Sequence, residues 1–100
     1  MRIGQLDQIG LRVAKRVAAK YGHLEITFFT SIALEGENYG ATVLIAQKEA
    51  GGDTMYEIPE VNRTLSLSSE EAETYLEHVI NEHAQSFMRL VANDTHNPWL

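Results

Sequence analysis

Apolar positions recur every three or four residues at the start of the chain. Leu6, Ile9, Val13, Val17 and Tyr21 fall on one side of a helix over residues 5–21, and Ala14 and Ala18 widen the stripe. Gly22 suits the left-handed position after a helix end, and Lys20 sits in the last turn, where a cation meets the negative end of the dipole. The period then changes to two. Over 24–34, Leu24, Ile26, Phe28, Thr30, Ile32 and Leu34 share one strand face, while Glu25, Thr27, Phe29, Ser31 and Ala33 share the other. Gly36 and Asn38 supply turn positions before a second strand within 39–49. Ala50-Gly51-Gly52-Asp53 is the strongest hairpin signal and leads to a third strand at 54–59. Pro59 has no N–H for a ladder, so it ends that strand or sets it at an edge.

Residues 60–67 allow a short fourth strand, because Leu65 and Leu67 alternate with Thr64 and Ser66, or else an extended connection. A second long helix is predicted over 69–92. Ser68 and Glu71 make a capping box, and Glu70, Glu71 and Glu73 crowd the positive end of the dipole. Its apolar seam is Ala72, Tyr75, Leu76, Val79, Ile80, His83, Ala84, Phe87, Leu90 and Val91. Asn93 can stop this helix. Residues 94–100, with Trp99, have no period and read as a C-terminal tail to a single domain at 1–93. Consecutive strands on short connections pair antiparallel, and two amphipathic helices must cover one face of the resulting sheet. The expected fold is an α+β two-layer sandwich of order αβββα, with three or four antiparallel strands and both helices on one face.

The chain has 100 residues, one domain's worth, with a formal net charge of −6, which argues against a generally basic nucleic-acid binder. The charge is unevenly spread. Residues 1–22 hold Arg2, Arg12, Lys15, Arg16 and Lys20 against Asp7 alone, so the other 13 acids oppose only Lys48, Arg63 and Arg89. Two explanations stand for the basic face Arg12, Lys15, Arg16 and Lys20. It complements the acidic body, within one fold or across a dimer, or it binds an anion or nucleic acid. No apolar run approaches the roughly 20 residues of a bilayer span. The start of the chain lacks a secretory pattern, and there is no cysteine, so no membrane partner and a cytoplasmic location are expected.

Catalytic and metal motifs are sparse. His78 and His83 are five apart and do not converge on one helix face. His83 lies on the apolar seam and is expected to be a hydrogen-bonded core imidazole, while His78 pairs with Glu82 at i+4. Glu35, Glu37, Asp53 and Glu60 read as a solvated rim without calcium-loop spacing. Gly36 to Gly40 lacks the Lys-Ser/Thr ending of a phosphate loop, and no serine has a nucleophile-elbow context. No enzyme activity, cofactor or metal is expected. The order αβββα is similar to that of the double-stranded RNA-binding domain. In that family a Lys-rich motif opens the second helix. Here that stretch is Ser68-Ser69-Glu70-Glu71-Ala72-Glu73, whose carboxylates would repel phosphate, so the chain is not placed in the family and nucleic acid is not the expected partner.

One feature leans toward function. If Leu24, Ile26, Phe28, Ile32 and Leu34 meet the helices, Phe29 and Ala33 look the other way, onto a face that should be polar in a two-layer fold. In the second strand either Val43 and Ile45 or Leu44 and Ala46 point that way too, and in the third Tyr56 and Ile58 compete with Met55 for the core; Leu44 and Tyr56 are taken for the outer face, with Trp99 of the tail beside them. This cluster of Phe29, Ala33, Leu44, Tyr56 and Trp99 predicts a protein interface, either a homodimer packed sheet to sheet or a contact with another protein.

Overall fold

The structure is a computed structural model that describes residues 1–32, 38–49 and 52–96, with side chains described up to residue 92. Its elements run α1 (Ile3–Tyr21), β1 (Leu24–Ile32), β2 (Tyr39–Gln47), β3 (Asp53–Glu57), α2 (Val61–Thr64) and α3 (Ser69–His96). The strands form one antiparallel sheet in the order β1-β2-β3, with α1 and α3 at the two ends of the chain. This is the expected α+β two-layer arrangement.

Helix α1 ends where the sequence places a glycine. Gly22 has φ 72° and its N–H donates to the Ala18 carbonyl at 3.0 Å. Strand β1 then pairs with β2 from Leu24 opposite Gln47 to Ile32 opposite Tyr39. Strand β3 pairs with β2 from Thr42 opposite Glu57 to Ala46 opposite Asp53. Leu24, Ile26 and Phe28 of β1, and Ala41, Val43 and Ile45 of β2, are buried on the helix side. Leu6, Val13 and Val17 of α1, and Leu76, Ile80 and Phe87 of α3, close the core above them. α1 lies against β1 and alongside α3.

Three expectations change. Residues 61–64 are a helical turn, neither a fourth strand nor an extended connection. Glu60 takes the left-handed conformation (φ 56°) and turns the chain, Thr64 Oγ1 donates back to the Glu60 carbonyl at 2.9 Å, and Val61 and Thr64 are buried at helical spacing. The two-residue alternation of Leu65 and Leu67 therefore belongs to a turn. Secondly, α3 does not stop at Asn93 but continues through residues 94–96. Thirdly, Leu90 is 47% exposed and leaves the predicted seam.

Candidate functional site

The uncovered face of the sheet is built from alternate residues of each strand. The register sets three rows across it: Glu25–Ala46–Asp53, Thr27–Leu44–Met55 and Phe29–Thr42–Glu57. Phe29 is 46% exposed and Met55 is 65% exposed. Leu44, half-buried, lies diagonally beside Phe29 and directly opposite Met55. The face thus has an apolar centre of Phe29, Leu44 and Met55. Glu25, Asp53 and Glu57 surround it, and no basic residue stands in these rows.

Of the residues expected on this face, the structure places Phe29 and Leu44 there. Tyr56 is corrected to the opposite face. It pairs with Val43, which is fully buried, so both point toward the helices. The Tyr56 ring stacks on His83 with centroids 4.7 Å apart, and burial pushes its phenol pKa up. Ala33 and Trp99 lie outside the described residues.

Met55 and not Tyr56 is the outward residue, and the sequence held the signal. Ile58 shares Tyr56's parity and Glu57 shares Met55's, and a buried isoleucine beside an exposed glutamate fixes the sides.

The basic ridge of α1 is matched within the fold. Arg12 meets Glu73 at 3.4 Å, and Arg16 meets Glu73 at 3.7 Å and Glu77 at 3.2 Å. Lys20 meets Glu77 at 3.6 Å. The hydrogen bond from Arg16 raises its own pKa and holds the Glu77 carboxyl below the ordinary glutamate range. Three of the four candidate anion ligands thus face carboxylates of α3. Lys15 has no ion-pair partner among the described residues.

His83 is half-buried, and its Nε2 donates to the Glu57 carbonyl at 3.1 Å while the ring stacks on Tyr56. Tyr75 donates to the Pro59 carbonyl at 2.7 Å, and its pKa is raised chiefly by burial. Both polar groups near the core are spent on backbone carbonyls. His78 pairs with Glu82 at 2.7 Å, as the i,i+4 spacing predicts. Among the described residues no group of three metal-ligating side chains gathers, and no helix is long and apolar enough to cross a membrane.

Comparison with family models, curated proteins and solved structures finds no match to the chain.

Proposed function

We propose that this chain is a non-catalytic protein-interaction module, and that the open sheet face is where it docks another protein. The observation that carries the reading is the exposed ring of Phe29, joined to Leu44 and Met55 on a face that no described element covers. A hydrophobic centre with a charged rim is the anatomy of a protein contact surface. The rim also selects the partner. Two copies packed face to face about Leu44 would set at least two of Glu25, Asp53 and Glu57 against acids of the other copy, and like charges across an interface cost several kcal/mol. The fitting partner has an apolar centre bordered by Lys or Arg.

The test is a titration of the chain with a designed amphipathic peptide carrying a leucine stripe flanked by lysines, followed by NMR. Shifts are expected at Thr27, Phe29, Leu44 and Met55, weakening as salt rises. Phe29→Ser abolishes them, and the same peptide with glutamates in place of lysines does not bind. Shifts confined to other surfaces, or equal binding of the acidic peptide, would overturn the reading.

A further inference from the structure

The two edges of the sheet differ. β3 is five residues long, carries Asp53 and Glu57 at its ends, and is followed by Pro59, all features that discourage further pairing. β1 is nine residues long, with no proline, no lysine and a single charge, Glu25. Its hydrogen-bond direction follows from one bond. Lys48 N–H donates to the His23 carbonyl at 3.0 Å, and 23 opposite 48 is the next step of the β1–β2 register. Odd-numbered residues of β1 therefore exchange bonds with β2. Leu24, Ile26, Phe28, Thr30 and Ile32 direct their N–H and C=O outward, where no described residue meets them.

α1 runs along this edge in the opposite direction. Its Asp7 accepts a hydrogen bond from Thr30 Oγ1 at 3.1 Å, and Gly10 sits on the Phe28 ring. Further on, Lys15, Ala18 and Ala19 border an open groove of about 390 Å³ with Leu24 to Thr27. Asp7, Leu11 and Lys15 are spaced i, i+4, i+8 on this flank, away from the Arg12–Arg16–Lys20 ridge that faces α3. Leu11, at the centre, is 41% exposed.

We propose that β1 pairs antiparallel with β1 of a second copy, about a two-fold axis at Phe28, making one continuous six-stranded sheet. The arrangement is self-complementary at every level. Even residues oppose even residues, Leu24 against Ile32 and Ile26 against Thr30, so the outward groups of both edges close about ten main-chain hydrogen bonds. Ile32, 62% exposed in the single chain, comes to lie beside Leu24 under α1 of the other copy. The same axis sets the two α1 helices antiparallel, Leu11 against Leu11, with Asp7 of each copy facing Lys15 of the other. Opposite charges thus meet at both ends of the seam. The small residues Gly4 and Ala18 oppose one another there and let the two helices approach closely. This contact uses an edge and leaves the open face free for its partner.

The chain has no cysteine, so a single introduced one reports position cleanly. Leu11→Cys, on the axis, is expected to form a disulfide-linked pair under mild oxidation, and Arg12→Cys, on the other flank, is not. By light scattering at micromolar concentration the wild type is two copies and remains so in Met55→Glu, which alters only the open face. Lys15→Asp weakens the pair about tenfold, and the swap Asp7→Lys/Lys15→Asp restores it. A wild type of one copy, a Met55→Glu variant of one copy, an unlinked Leu11→Cys, or a swap that fails to restore the pair would each overturn the proposal. None of these readouts depends on the peptide titration, so the edge and the open face stand or fall separately.

Discussion

Gly10 of α1 lies directly on the ring of Phe28 in β1. A Cβ built at Gly10 would stand far inside contact distance of that ring. Both partners are inflexible, one being helix backbone and the other a buried aromatic ring with 2% of its surface exposed. The missing side chain thus sets how closely α1 approaches the sheet. Gly10→Ala should gain the helix propensity of alanine and still lose about 2 kcal/mol net through overpacking. The measurement is thermal unfolding, with a fall in Tm of about 10 °C. Phe28→Leu in the Gly10→Ala background should recover part of the loss, and a simple sum of the two single effects would show that the contact does not set the spacing.

Glu60 holds φ at 56°, a conformation that costs a residue with a Cβ about 1 kcal/mol. Its side chain contributes little in return, because the pair with Arg63 at 3.7 Å is solvent-exposed on both sides. Glu60→Gly should leave stability unchanged or raise Tm by a few degrees. A clear fall in Tm would mean that the carboxylate supports the α2 turn in a way the backbone conformation does not reveal.

The start of α3 rests on a reciprocal pair. Ser68 Oγ accepts from the Glu71 N–H at 3.2 Å, and Glu71 Oε1 accepts from the Ser68 N–H at 3.2 Å. Ser68→Ala should destabilise the fold by about 1 kcal/mol, and Ser68→Asp should recover most of it. Urea unfolding at constant m-value checks the size.

The carboxyls of Glu71 and Glu77 are both held below the ordinary glutamate value. The Ser68 hydroxyl and backbone N–H act on the first, and the Arg16 hydrogen bond acts on the second. A depressed folded-state pKa contributes stability above the unfolded-state value of 4.5, and that contribution disappears as pH falls through the folded value. Tm should hold from neutral pH down to about 5 and then decline. Glu77→Gln should lower Tm at neutral pH and flatten the decline. An unchanged slope in that variant would remove the Arg16–Glu77 pair from the acid response.

Much of this was legible in the chain itself, because the governing signals are local. The shift from a three-to-four-residue period to a two-residue period separates α1 from β1, and Gly22 marks the boundary. Ser68 and Glu71 announce α3. The i, i+4, i+8 cations of α1 pointed to an opposite-charge neighbour, though not to Glu73 and Glu77 in particular, since that pairing depends on how α1 and α3 pack. The residues misread were those whose environment is tertiary. Leu65 and Leu67 alternate like a strand but belong to a turn that Glu60 forces. Tyr56 is as apolar as its neighbour Met55; its shared parity with Ile58 is the one cue along the chain, and its place opposite Val43 sets it beneath the helices. Ile32 shares the parity of Leu24 and Phe28 and is expected beneath the helices, yet it is 62% exposed at the end of β1, because burial depends on how far α1 reaches along the strand.

The inequality of the two sheet edges has a consequence for growth. If the β3 side were as receptive as the β1 side, each added chain would present a fresh template and the product would be an open-ended fibre. With Asp53 and Pro59 bracketing a short β3, the proposed pairing through β1 would terminate after one event. Under that pairing, stoichiometry would be written into strand length, and grafting a longer, uncharged β3 onto this chain would turn a closed pair into a polymer.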